Sequence, residues 1–330
     1  MRYAAFLSGG GFTGAYQAGA IQRLHQEGIK PSVVYGISVG SLNGAMWAMR
    51  EVDRLVEFWK RIGFKDVFSG NPYWNALTST GLYSNKPLWR LIQQEVDPDR
   101  MEAEFYAGAV NFETMKYQTF SNRRDSKEVL LKGILASTAM PVYHRLVEIN
   151  DDLWADGGVW QVTPVGHFLD LSRERVDELI IINCQPPEPE HVPTPLISLG
   201  PLGIGKVGNV LKTTLGLLIE KSIWADMKMF EIVNYLTLKA GPIVRKSGEG
   251  LYEHFPALII HPAHSLGSGM DADRSKLDAL FEQGLADAGV ALEAWRADRR
   301  RDPRISSMVA GTGGRSRSAA AQPAADVNDA

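Results

Sequence analysis

Three short stretches of the chain carry residues able to do chemistry together. Ser38 stands between two glycines in Gly36-Ile37-Ser38-Val39-Gly40, and a glycine run, Gly9-Gly10-Gly11, precedes it by one strand-turn-helix unit. Asp156 heads Asp156-Gly157-Gly158 much further on. A serine hydroxyl is a poor nucleophile until a base removes its proton and donors hold the oxyanion that results. Glycines on both sides of a serine at a strand-to-helix turn let the hydroxyl stand clear of the backbone, as in a nucleophile elbow. A glycine turn before a helix points N–H groups outward toward negative charge. The Gly10 and Gly11 N–H groups are the best-placed donors, with Gly9 behind them. Asp156 follows the apolar segment Leu153-Trp154-Ala155, which puts a carboxylate at a strand end. A free carboxylate is a weak base, with a pKa of about 3.9, and a partly dry site raises that value. The combination points to acyl transfer from a hydrolysable ester. Each stretch alone also has a plain reading, the last as an ordinary turn.

The elements that must position these residues follow from periodicity. Tyr3–Leu7 and Val33–Tyr35 read as strands, each leading into a helical pattern, Ala15–Gln26 and Leu42–Arg50. Helical spacing continues over 51–61, and Pro87 suits the first turn of a helix reaching Val96. Between them, residues 63–84 interleave Gly, Asn, Pro and Ser with Phe64, Phe68, Tyr73, Trp74 and Tyr83. That segment reads either as a functional rim or as a connection anchored by its aromatics. Residues 105–112 and 116–121 alternate like neighbouring strands, 127–138 is helical, and 145–149 is a strand turning at Asn150-Asp151-Asp152. Val176–Asn183 contains Leu179-Ile180-Ile181-Ile182, a run suited to a parallel strand covered on both faces. Residues 185–208 read as a flexible connection, 209–238 as one long helix or two, 258–260 as a last strand, and 273–296 as closing helices. Strands alternating with helices predict an α/β fold, three-layer α/β/α with a mostly parallel central sheet. One domain is expected over 1–298, followed by a disordered tail over 299–330 rich in Arg, Ala, Gly and Ser.

With 330 residues, 45% of them hydrophobic, the chain can bury a large core. A net charge of −3 gives no general attraction to nucleic acid. The one cysteine, Cys184, excludes an internal disulfide and fits a reducing, cytoplasmic setting. No run is long enough for a signal-peptide core or a membrane span, so any membrane contact is expected to be peripheral. The apolar, uncharged stretch 195–205 and the aromatics Tyr73 and Trp74 are candidates for such contact.

Two rival readings weaken on inspection. Gly9-x-Gly11-x-x-Gly14 after a strand also fits a dinucleotide fingerprint, but Tyr35 to Ser38 stand where its acidic residue belongs. A Ser-Asp-His triad has histidines available after Ser38, yet only one strand precedes the strand that leads into this elbow, and no histidine has a loop context like that of Asp156. His261 and His264 make a metal-like pair without a third ligand, so neither metal nor cofactor is expected.

Taken in order, Leu7–Gly19, Gly36–Gly44, Ala136-Ser137-Thr138-Ala139-Met140-Pro141 and Asp156-Gly157-Gly158 closely resemble the patatin-like phospholipase family. The resemblance covers residues 3 to about 185. It implies a three-layer fold and a serine–aspartate dyad without histidine, acting on lipid acyl esters. Carried over by motif, Ser38 is the nucleophile, Asp156 the base, and Gly9, Gly10 and Gly11 the oxyanion cradle, with Gly14, Gly36, Gly40, Gly157 and Gly158 shaping the turns. The expected partner is a lipid ester at a membrane or aggregate surface. The family usually carries Arg or Lys where this chain has Thr13, so ester hydrolysis is implied more firmly than a phospholipid preference. A soluble carboxylesterase, a lipid acyltransferase and an idle lipid-binding module are the alternatives. Intact Ser38 and Asp156 argue against the last.

Overall fold

The computed structural model describes residues 1–171, 175–186, 204–245, 250–304 and 306–310. Its strands are β1 (Tyr3–Leu7), β2 (Pro31–Ile37), β3 (Gly81–Tyr83), β4 (Glu104–Asn111), β5 (Lys116–Ser121), β6 (Val142–His144), β7 (Val147–Ile149), β8 (Asp152–Asp156), β9 (Glu178–Ile182), β10 (Ile243–Val244), β11 (Leu251–Tyr252), β12 (Ala257–His261) and β13 (Ser307–Ala310). Its helices are α1 (Gly14–Gln26), α2 (Val39–Ala48), α3 (Val52–Arg61), α4 (Phe64–Val67), α5 (Pro72–Thr78), α6 (Lys86–Glu95), α7 (Lys127–Ser137), α8 (Ile204–Ala240) and α9 (Arg274–Arg301).

A nine-stranded sheet runs β13-β12-β9-β1-β2-β4-β8-β7, with β5 also paired to β4. Neighbours from β13 to β4 are parallel, and β5, β8 and β7 are added antiparallel. Alternation along the strands sends side chains to two cores. Ala5, Leu7, Val34, Ile180 and Ile182 pack under α1, α2, α3, α6, α7 and α9. Ala4, Phe6, Val33, Leu179 and Ile181 face Met227 and Phe230 of α8 and the turn around Val165. The protein is thus a three-layer α/β/α fold with a mostly parallel sheet. No helix among the described residues is long and apolar enough to cross a membrane.

The register of β4 decides where the chemistry gathers. Its first residues pair with β2, ending at Ile37↔Gly108, and the next pair with β8, starting at Ala109↔Asp156. Because β5 occupies the opposite edge of β4, β2 and β8 meet end to end along one edge. Ser38 and Asp156, far apart in sequence, therefore leave the sheet at the same point. On the helical side, α1 and α9 approach so closely that a Cβ on Gly284 would run into the Tyr16 carbonyl, and one on Gly19 into that of Phe281.

Several expectations need correction. The strand expected over 145–149 breaks at Arg145 and Leu146, because side chains take the place of the ladder. Asn85 donates to the Arg145 carbonyl (2.7 Å) and accepts from its N–H (3.0 Å), while the Leu146 N–H donates to Thr80 Oγ1 (3.1 Å). The aromatic segment folds into α4, α5 and β3 rather than a loop. Phe68 stacks on Phe64 and on the His144 ring, at 4.7 Å each, whereas Trp74 is 67% exposed, so anchoring and exposure both occur there. The expected tail from 299 begins with order: α9 reaches Arg301, and β13, not β12, is the last strand, pairing in parallel with β12. The stretch 209–238 lies in the single helix α8, and 273–296 in the single helix α9, whose Asp273 cap accepts from the Lys276 N–H (3.1 Å). Of the apolar stretch 195–205, residues 195–203 lie outside the described residues.

Candidate active site

Ser38 joins β2 to α2 with φ 54° and ψ −130°, a backbone conformation that L residues rarely hold. Such strain costs on the order of 1–3 kcal/mol and persists only when the surroundings over-determine it. Here they do. A Cβ on Gly40 would sit 2.6 Å from the Ser8 carbonyl oxygen, and one on Gly36 would strike the Gly40 carbonyl, so only glycines let this turn pack onto β1. The Ser38 carbonyl accepts from the Ser41 N–H (2.9 Å) and hydroxyl (2.7 Å), and the Ser38 N–H donates to Ser137 Oγ (3.0 Å).

The glycine turn lies directly against this elbow. Gly9 faces the Ser38 Cβ, and its N–H donates to the Val162 carbonyl (3.0 Å). Gly9 is therefore not a free oxyanion donor, which corrects the sequence expectation: its amide is spent holding the turn. The Gly10 and Gly11 N–H groups have no acceptor among the described residues, and both residues line the cavity with Ser38. Thr13 is fully buried and donates through Oγ1 to the Gly10 carbonyl (2.9 Å). That carbonyl belongs to the same peptide plane as the Gly11 N–H and points the opposite way, so Thr13 fixes the direction of the Gly11 donor. This is a loop-holding role without a basic side chain. Thr13→Val keeps shape and removes the hydrogen bond. It is expected to lower kcat about tenfold on a soluble ester at unchanged melting temperature, less than the ~10²–10³ for losing a donor outright.

Behind the turn lies a buried polar cluster that the motif reading did not single out. Asn43 donates to the Gly14 carbonyl (3.0 Å) and to Gln17 (2.9 Å) and accepts from Trp59 Nε1 (2.9 Å). Gln17 donates onward to the Ser8 carbonyl (3.3 Å). Gly14, the first residue of α1, abuts Val39 and so brings the first turns of α1 and α2 together. A sequence signal existed, since Gln17 and Asn43 are polar residues on otherwise apolar helical faces.

Asp156 ends β8 and is 4% exposed. Its N–H donates to the Ala139 carbonyl (3.0 Å), and its Oδ1 accepts from the Gly158 N–H (2.7 Å). Burial pushes the carboxyl up to about 7, against the opposing pull of the Gly158 N–H and the Ser38 hydroxyl beside it. Gly157 crosses over the Gly108 backbone, and Gly158 lines the cavity. On α8, Asp226 accepts from the Thr163 N–H (3.2 Å), steadying the turn whose Val162 carbonyl receives Gly9.

Ser38, Asp156, Gly10 and Gly11 open onto a cavity of about 390 Å³ walled by apolar side chains, among them Leu42, Trp59, Phe68, Met140 and Val162. Among the described residues no Lys or Arg lines it. His144 does, but burial holds its imidazole down to about 4, which makes it a poor base near neutrality. His167 stacks on Tyr35 toward the α8 layer, and His261 is buried with Nδ1 against the Pro262 carbonyl. His191 lies outside the described residues. A half-buried serine beside a buried carboxylate and two amides with no acceptor among the described residues, above an apolar cavity, can carry out nucleophilic attack on an uncharged acyl group.

Comparison with known proteins gives two positive findings. The family model described as patatin-like phospholipase matches residues 6–169. Among solved structures, VipD from Legionella pneumophila is similar with 13% identity and a TM-score of 0.47, over 89% of this chain and 67% of that one. No curated protein matches the chain.

Proposed function

We propose, from the premise that residues 6–169 place this chain in the patatin-like phospholipase family, that it is a lipid acyl hydrolase working through a serine–aspartate dyad. The observation that carries this reading is the pairing of Ser38, on its strained turn, with the buried Asp156 carboxyl at the wall of an apolar cavity. The Ser38 oxygen attacks the acyl carbonyl carbon as its proton passes to Asp156. The developing oxyanion meets the Gly10 and Gly11 N–H groups. Collapse breaks the ester bond, and the leaving alcohol takes the proton from Asp156. Water then attacks the acyl-enzyme, giving its proton to Asp156, and the acid departs as Ser38 is reprotonated. One group serves as base and then acid in each half, a duty suited to a pKa near the working pH.

The apolar lining suits an acyl chain, and among the described residues no lining cation offers a direct partner to a phosphate. Val159 and Trp160, 49% and 59% exposed, stand just past Gly158 and offer apolar contact to a lipid surface. The substrate is accordingly a lipid ester met at a membrane or aggregate, with the enzyme peripheral to it. An alcohol in place of water would make the same residues an acyltransferase.

A fluorophosphonate probe tests the reading, since oxyanion donors activate the serine toward phosphorus as they do toward carbonyl carbon. Peptide mapping should find the label on Ser38 alone. Ser38→Ala should remove both labelling and hydrolysis of a short-chain nitrophenyl ester. Label on another serine, or turnover that survives the substitution, rejects the assignment.

A further inference from the structure

The block Ala136–Pro141 contributes Thr138, Met140 and Pro141 to the cavity wall, but Ser137 is not among the lining residues and is fully buried. Its position explains what it does. Ser137 is the last residue of α7, and its Oγ accepts the N–H of Ser38 at 3.0 Å. Two residues later the Ala139 carbonyl accepts the N–H of Asp156, also at 3.0 Å. Between them Thr138 is itself fixed, its Oγ1 donating to the Ile134 (3.1 Å) and Leu135 (2.9 Å) carbonyls. The end of α7 thus grips the backbone of the nucleophile with one residue and that of the base with another. The segment between the grips cannot slide, because it is locked to its own helix.

We propose that Ser137 is a positioning residue: its hydroxyl holds the strained Ser38 backbone at one end of a three-residue segment whose other end holds Asp156, so that residues 137–139 set the nucleophile–base separation. This rests on the dyad reading above and goes beyond it. The two ends of that grip differ in kind. Ala139 acts through its main chain, which any residue supplies, whereas Ser137 acts through a side chain that only a few residue types can replace. The Ser38 carbonyl is held within its own helix by Ser41, so Ser137 supplies the long-range restraint on the elbow. Without it the Ser38 peptide can turn toward an ordinary conformation, carrying the hydroxyl away from Asp156. Displacements on the scale of 1 Å at a reacting centre cost about 10² in rate.

The test compares Ser137→Ala, which removes the acceptor, with Ser137→Cys, which restores bulk but accepts a hydrogen bond weakly. Both are assayed on a soluble nitrophenyl ester beside wild type and Ser38→Ala. We expect kcat to fall about 10–100-fold in Ser137→Ala with KM unchanged, fluorophosphonate labelling of Ser38 to slow in parallel, and Ser137→Cys to follow Ala. A kcat in Ser137→Ala near that of wild type, a loss confined to KM, or full recovery in Ser137→Cys overturns the proposal, the last because volume alone would then suffice. Should Ser137→Ala not fold, Ser137→Cys decides alone, since the proposal requires it to be slow. The controls separate the two ideas: turnover in Ser38→Ala sinks the dyad reading, whereas a dead Ser38→Ala beside a fully active Ser137→Ala sinks only the positioning role.

Discussion

Asp156→Asn should lower kcat by on the order of 10⁴ while making the protein more stable above neutral pH. The activity loss follows from the proposed dyad, in which Asp156 takes the serine proton; losses of that size occur even where an aspartate only orients another base. The stability gain follows from burial. The folded-state pKa of Asp156 is raised to about 7, above an unfolded value near 3.8, so the folded protein binds that proton more tightly than the unfolded chain does. The associated stability is fully present below about pH 4 and is lost as pH rises toward 7. Asparagine keeps an acceptor for the Gly158 N–H and escapes the penalty, so the stability gap over wild type should open between pH 4 and 7 and stay constant above. Wild-type kcat/KM should rise through the same upper value as the base ionises. Melting curves at pH 4.5 and 8 with pH–rate profiles check both halves. A variant whose stability advantage does not grow with pH would falsify the desolvated-carboxylate account.

The second large effect lies far from the chemistry, where α1 crosses α9. Gly284→Ala adds one methyl group aimed at the Tyr16 carbonyl, and backbone cannot yield as a flexible side chain can. Alanine raises helix propensity by about 1 kcal/mol over glycine, but overpacking of this kind costs about 1–3 kcal/mol or more. The clash should win, with a net loss of about 2 kcal/mol and a lower melting temperature. Gly289, on the same helix, is the control. A Cβ there would meet only the Arg23 guanidinium at 3.5 Å, an ordinary contact. Gly289→Ala should therefore be neutral or stabilising by up to about 1 kcal/mol. Equal effects at the two positions would show that propensity, not the helix crossing, governs this interface.

How much of this was legible beforehand depends on how local each cause is. The elbow, the glycine turn and Asp156-Gly157-Gly158 could be read because their backbones demand particular residue types within a few positions. The alternation of strand and helix was readable for the same reason, and so the three-layer fold was. What stayed hidden is what one segment borrows from another. Nothing near Gly9 announces that Val162 will take its N–H, or near Arg145 that Asn85 will replace a strand partner. Thr13 looked like a loss against the usual basic residue, yet in place it holds the Gly10 carbonyl. The four residues of β13 sit in an Arg- and Ser-rich context that reads as tail, and only the waiting edge of β12 makes them a strand.

The placement of β1 has a consequence for synthesis. Its edges are filled by β2, made within moments, and by β9, whose first residue follows Leu7 by 171 positions (178 − 7). At roughly 5–20 residues per second, a nascent chain would carry β1 with one bare edge for about 9–34 seconds. Ala4-Ala5-Phe6-Leu7 is apolar and uncharged, the kind of edge that recruits a neighbouring polypeptide. The turn that bears Gly10 and Gly11 hangs from that same strand. Chains emerging close together on one messenger thus have a window for mispairing at the segment that later forms the site, and slowing translation before β9 should lower the soluble yield.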